Sequence, residues 1–128
     1  MAGLRFRKLP ETFSICRLPA DATIPGWAMD GDFVSVTRTT DELSIVCPSN
    51  NIPPEQRPDL IWVAFKLEGP FAFTETGILA SFISPLSAAG VPIFAVSTFD
   101  TDYVLVWEEH FIKALEILQA TGHIFQAS

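Results

Sequence analysis

The order of apolar patterns in the second half of the sequence most limits the folds open to this chain. Four short runs have the composition of strands: 60–67, 91–97, 102–107 and 123–126. Between them, apolar residues recur at helical spacing over about 78–89 and about 108–121, and Gly90 and Gly122 end these helices. The predicted order is β-α-β-β-α-β, a split βαβ arrangement with both helices on one face of an antiparallel sheet.

The first of these helices carries two features that bear on its start and its regularity. Thr76 is predicted to be its N-cap, since a threonine oxygen can accept a hydrogen bond from the first turn. Pro85 lies inside it, and a proline there removes the hydrogen bond to the carbonyl of Ser81, at a cost of about 3 kcal/mol unless a kink absorbs it.

The first half has strand patterns but little helical pattern. Strands are predicted at 11–18, 33–39 and 42–48. The segment 19–32 is rich in turn residues, and 49–59, with three prolines, reads as a linker.

The two halves resemble each other around one hairpin. Residues 36–46 align without gaps on 96–106, which pairs Thr37 with Ser97 and Glu42 with Asp102. This alignment predicts that residues 1–58 are a reduced copy of residues 59–128 that lost its first helix. Because such a copy could not cover its own sheet, both repeats are expected to form one compact unit.

Composition and charge exclude several classes of protein. The formal net charge of −7, with half of the eight basic residues within the first seventeen, argues against nucleic acid and anionic membranes as partners. No apolar run approaches the ~18 residues of a membrane-spanning helix. The basic start of the sequence has no apolar segment behind it, so no signal peptide is expected. Cys16 and Cys47 lie in apolar stretches and are interpreted as buried free thiols, although the sequence neither supports nor excludes a disulfide.

Strand 103–107 is predicted to be apolar on both faces. Tyr103, Leu105 and Trp107 lie on one face, and Val104 and Val106 lie on the other. Helices on one side would cover only one of these faces. The other repeat or another subunit is expected to cover the second.

The segment FKLEGPFAFTETGILASFISPLSAAGVPIFAVSTFDTDYVLV, residues 65–106, resembles the ACT domain in its aspartokinase-like and CASTOR-like form. Its glycine-initiated helix, the proline within that helix and the STFDTD turn carry the resemblance, which extends weakly through residues 37–48. It implies a ferredoxin-like fold, tandem ACT repeats with a degraded first member, and a regulatory module that binds amino acids at interfaces between domains. A cytoplasmic homodimer that senses a small molecule is the function it implies.

The resemblance also implies a set of ligand-binding residues, namely Gly77, Ile78, Ser97, Thr98, Phe99 and Asp102. The chemistry suits a zwitterion, because helix N-terminal amides can bind an α-carboxylate and a carboxylate can accept from an α-ammonium. The alternative is a capped helix followed by an ordinary turn, in which Asp100 is a solvated turn residue.

No catalytic residues, metal ligands or cofactor are predicted. His110 and His123 flank the second helix, and no serine and aspartate pattern accompanies them to form a catalytic triad. Two alternatives to the sensor remain. One is a structural or adaptor protein that kept the fold and lost the ligand, and the other, less favoured, is an enzyme.

Overall fold

The computed structural model describes residues 3–72 and 74–127 and divides the chain into two compact units. Glu11–Trp62 forms one of them, called here the β unit. The described residues before and after it form the other, called the helical unit. The predicted boundary at residue 58, and the packing of both repeats into one compact unit, stay predictions.

The strands and helices follow the predicted order closely. In chain order they are β1 (Arg5–Lys8), β2 (Phe13–Leu18), β3 (Ser35–Arg38), β4 (Leu43–Pro48), β5 (Trp62–Leu67), α1 (Ile78–Ala88), β6 (Ile93–Ser97), β7 (Asp102–Trp107), α2 (Phe111–Ala120) and β8 (Ile124–Phe125). The β-α-β-β-α-β order of the second half is confirmed. The second predicted helix begins with a 3-10 turn, Glu108–His110, before it becomes α-helical.

Strand β1 was not predicted, and it alters the sheet of the helical unit. It pairs antiparallel with β5 and parallel with β8, which gives the strand order β8-β1-β5-β7-β6. The sheet is therefore not purely antiparallel, because β1 lies between the last strand and β5. Four residues, with one apolar side chain among three charged ones, are too short a pattern to identify a strand.

Both helices pack on one face of this sheet, as predicted. Phe82 and Leu86 of α1 and Ala114 and Leu118 of α2 share one buried core, which is completed by residues of three strands. The strand residues in this core are Phe6, Val63, Phe65, Leu67, Val104 and Val106. Leu105, on the opposite face of β7, is fully buried as well.

The β unit holds three antiparallel strands in the order β3-β4-β2. Its core includes Leu43, Ile45 and Cys47. Both cysteines are free thiols, and burial, with a smaller contribution from Cys16, raises the pKa of Cys47 to about 11. A thiol held so strongly in its protonated form is suited to packing rather than to chemistry.

The two hairpins correspond closely, but the ungapped alignment predicted above is wrong by one residue. In the hairpin β3–β4, Thr39 N–H donates to the carbonyl of Glu42 over 2.9 Å. In the hairpin β6–β7, the same bond runs from Thr98 N–H to the carbonyl of Thr101 over 2.8 Å. A 3-10 turn directly follows both β4 and β7.

This correspondence changes which residue of the β unit is equivalent to the site residue Asp102. Glu42 corresponds to Thr101, and Leu43, which is fully buried, corresponds to Asp102. The β unit also has a 3-10 helix, Gly26–Met29, within the segment that corresponds to α1. Since it lacks both the acid and the α-helix, the β unit does not repeat the candidate site.

Candidate ligand-binding site

A cavity of about 320 Å³ opens between the start of α1 and the turn that joins β6 to β7. Its volume falls in the range of about 300–1,000 Å³ that is usual for small-molecule sites. All six residues implied by the resemblance line it: Gly77, Ile78, Ser97, Thr98, Phe99 and Asp102. The other lining residues are Phe71, Ala72, Glu75, Leu79, Ala80, Asp100 and Thr101. The structure thus brings the predicted residues together, and their role in binding stays a prediction.

The start of α1 offers free backbone amides to this cavity. The N-cap is Gly77, with a left-handed backbone at φ 77°, so the prediction that Thr76 caps the helix is wrong. Glycine suits this conformation and has no side chain with which to cap the helix. The first helical bond runs from Ser81 N–H to Gly77 O over 2.9 Å. The N–H groups of residues 78–80 consequently have no partner within the helix, and such groups readily bind anions.

The turn between β6 and β7 places one carboxylate at the cavity. Ser97 and Asp102 are opposite each other at the end of the two strands, and Ser97 Oγ donates to Asp102 Oδ1 over 2.5 Å. This bond orients the carboxylate and leaves its second oxygen able to accept. Thr98 shapes the turn itself, because its Oγ1 accepts from Thr101 N–H over 3.3 Å.

Thr101 anchors the turn, and sequence reasoning did not single it out. Its side chain is only 7 % exposed, and its Oγ1 donates to the carbonyl of Leu67 at the end of β5 over 2.7 Å. The carbonyl of the next residue back, Asp100, accepts from Phe71 N–H over 2.9 Å. The turn is therefore held by the end of β5 and by the loop that follows it.

Two family models match the sequence of this chain. The family model of the ACT domain matches residues 59–120, and a second model, of an N-terminal domain, matches residues 11–55. Residues 59–120 of the chain belong to the ACT domain family. A protein from Agrobacterium tumefaciens with a known crystal structure is 45 % identical to this chain in sequence and superposes on it with a TM-score of 0.90. The match covers 100 % of this chain and 96 % of that protein's chain.

Two further relatives carry names that describe an activity. The human cytosolic arginine sensor for mTORC1 subunit 1 is 37 % identical over 60 residues, which are 46 % of this chain and 18 % of the sensor. The chain thus spans less than a fifth of that relative's length. An aspartate kinase from Clostridium acetobutylicum superposes with a TM-score of 0.61 over 92 % of this chain and 34 % of the kinase, at 16 % identity. At that identity the likeness shows the ACT fold alone.

The cavity of this ACT domain is strongly acidic. Glu75, Asp100 and Asp102 line it, and none of its described lining residues is a lysine, an arginine or a histidine. Glu75 is oriented by its own loop, because its Oε1 accepts from Ala72 N–H over 2.9 Å. Among the described groups of the site, the partial positive charge at the N-terminus of α1 is then the one positive feature.

Phe99 stands at the rim, with 77 % of its surface exposed. A large aromatic side chain so exposed beside a cavity can cover a bound molecule. Phe71, Ala72 and Glu75, by contrast, are not among the residues that the resemblance implied. Their place in the lining depends on the bond between Phe71 and Asp100, for which the sequence offers no signal.

Among residues 3–72 and 74–127, no group of three or more histidine, cysteine, aspartate or glutamate side chains is placed to hold a metal ion. Within the same residues, neither helix is long and apolar enough to cross a membrane.

Proposed function

We propose that this chain is a non-catalytic regulatory protein of the ACT type that binds a free amino acid in the cavity between α1 and the β6–β7 turn. The observation that carries the proposal is that an uncapped helix N-terminus and the carboxylate of Asp102 line the same cavity. Amides of residues 78–80 would bind the α-carboxylate, and the free oxygen of Asp102 would accept from the α-ammonium.

The charges of the cavity favour a ligand with a second positive group. A zwitterionic amino acid needs only one carboxylate for its ammonium, and this role falls to Asp102. Glu75 and Asp100 add two negative charges to the lining without a basic partner there. A cationic side chain would compensate them, whereas an acidic one would meet like charge. Arginine and lysine are therefore the proposed ligands, and the partial similarity to proteins named as arginine sensors agrees with this choice.

A regulatory role fits the site better than catalysis does. Ser97 has a hydroxyl bonded to an acid, but its proton is donated to Asp102, and no histidine is among the described residues that line the cavity. Activation of a serine normally requires such a base. The site can hold a charged molecule in one orientation, which is what a sensor requires.

A thermal-shift screen with the twenty amino acids tests the proposal. A ligand at 100 times its Kd stabilises the folded state by about 2.7 kcal/mol, which raises the Tm of a domain of this size by several degrees. We expect arginine or lysine to give the largest rise and glutamate, at equal concentration and ionic strength, to give none. A Tm unchanged by every amino acid would favour an adaptor that keeps the ACT fold without a ligand.

The proposal includes a homodimer that acts in the cytoplasm. Among the described strands β6 lies at the edge of its sheet, a position at which a second copy could extend the sheet. The name of the cytosolic arginine sensors supports the compartment. Light scattering at tens of micromolar is expected to give twice the mass of the chain, and a monomer there would contradict a dimer of about micromolar affinity.

A further inference from the structure

Helix α1 has a break in its hydrogen bonding just behind the cavity. Pro85 lies inside the helix and has no N–H, so the carbonyl of Ser81 lacks its usual partner four residues later. Ser81 is also the residue that closes the first turn. Its N–H donates to Gly77 O and its Oγ donates to Ile78 O, each over 2.9 Å.

The ring of His123, which follows α2, supplies the missing partner. Its Nε2 lies 3.0 Å from the carbonyl of Ser81, and its Nδ1 lies 3.1 Å from the backbone N of Leu4. The ring packs against Phe82 with 5.3 Å between centroids and is 7 % exposed. Because a backbone N–H can only donate, Nδ1 must accept, and Nε2 must carry the proton that is donated to Ser81. The contacts thus require the neutral ring in one tautomer.

We infer that His123 is a positioning residue that holds α1, and with it the amides at the cavity, only while its ring is neutral. A continuous series of bonds runs from Nε2 through Ser81 to Gly77 and Ile78, both of which line the cavity. The same ring ties α1 to Leu4, whose carbonyl accepts from Ile124 N–H over 2.8 Å. His123 therefore sets where the start of α1 lies relative to the strands.

Protonation would break this arrangement. A proton on Nδ1 would set two donors against each other at the contact with Leu4, and a charged ring would occupy an almost fully buried position. The described ring contacts of His123 are with Ser81, Phe82 and Leu4, and its backbone N–H donates to Leu118 O; none of these groups is charged. Of the described residues, none forms an ion pair with it. The hydrogen bonds of the ring to Leu4 and Ser81 therefore fit only its neutral form.

Nuclear magnetic resonance tests the inference directly. The ¹⁵N shifts of His123 should show the Nε2–H tautomer at about pH 7.5, and hydrogen exchange should show α1 amides losing protection as the pH falls to about 5.5, within the range where histidine changes charge. We expect a loss of about five- to tenfold beyond the intrinsic pH effect, equivalent to one hydrogen bond or slightly more. An Nδ1–H tautomer at about pH 7.5 would overturn the inference.

Variants separate His123 from the other histidine and from general packing. His123→Gln can still donate to Ser81 but cannot titrate, so its α1 protection should be close to that of the parent at neutral pH and should not change in acid. His110→Gln, the matched control, should keep the full pH dependence. In a Pro85→Ala background, a new backbone N–H at position 85 can bond to Ser81, so His123→Leu should loosen α1 less than it does in the parent. The inference would be overturned if the pH dependence of α1 protection persisted in His123→Gln or disappeared in His110→Gln.

The expected effect of His123 on ligand affinity rests on the proposed function, and it is measured in a separate experiment. Affinity for arginine should fall by about three- to tenfold over the same pH range in the parent and stay constant in His123→Gln. If α1 loosens in acid but affinity does not change, the link between His123 and the cavity is wrong. If no amino acid binds at all, the proposed function fails, while the exchange data still decide the role of His123 in α1.

Discussion

Asp102→Asn is expected to weaken binding of the amino acid ligand by roughly 10- to 150-fold. A hydrogen bond between charged groups contributes about 1.5–3 kcal/mol, and the substitution removes the charge while it keeps the size and an oxygen that can accept from Ser97. The hairpin should stay intact, because asparagine suits turns as well as aspartate does. Isothermal titration calorimetry with arginine and lysine on the parent and the variant measures the change.

The matched control for this experiment lies in the other hairpin. Asp41 occupies the turn of the β unit that corresponds to the turn of Asp100, is exposed, and does not line the cavity. Asp41→Asn removes the same charge from the protein and should change affinity by less than about threefold, as expected of an exposed charge at a distance. Equal affinities for Asp102→Asn and the parent would mean that this acid serves only the turn, and the adaptor interpretation would then be preferred.

Phe6→Ala is expected to lower the free energy of unfolding by about 3–5 kcal/mol, the usual effect of truncating a buried phenylalanine. Phe6 is fully buried, and its ring lies 5.4 Å from that of Phe65, 5.1 Å from Phe82 and 5.3 Å from Phe125, between centroids. Its removal would leave a cavity where β1, β5, β8 and α1 meet. Since domains are stable by only about 5–15 kcal/mol, the loss would be a large share of the total. Urea denaturation followed by circular dichroism measures it.

The neighbouring residue provides a control for the strand itself. Arg5 is exposed, and its role in the sheet is carried by its backbone carbonyl, which accepts from Glu68 N–H over 2.9 Å. Arg5→Ala should therefore change the free energy of unfolding by less than about 0.5 kcal/mol. If Phe6→Ala were equally mild, β1 would contribute little to the core, and the unit would have to be stable without its first strand.

The sequence by itself determined the elements whose signals are local. The apolar spacing from Ile78 onward, ended by Gly90, predicted α1 to within one residue at its C-terminal end, and the limits predicted for β7 match those of the structure. Helical and strand periods involve only a few neighbouring residues, so they can be recognised in the sequence without knowledge of the fold. The resemblance to the ACT domain then selected six residues that do share one cavity. Gly77 and Asp102 were selected by that resemblance and not by a local signal, since the local capping pattern pointed to Thr76.

Contacts between residues distant in the sequence were decided only by the tertiary structure. No local pattern marks β1, whose strand character comes from pairing with β5 and β8. The bond from Thr101 to Leu67 and the bonds of His123 to Leu4 and Ser81 likewise join segments between 34 and 119 residues apart. The alignment of the two hairpins was wrong by one residue for a related reason: similar side chains suggested one correspondence, and backbone pairing selected another. A hydrogen bond requires a partner at the right distance and angle, and for distant segments only the folded chain provides that geometry.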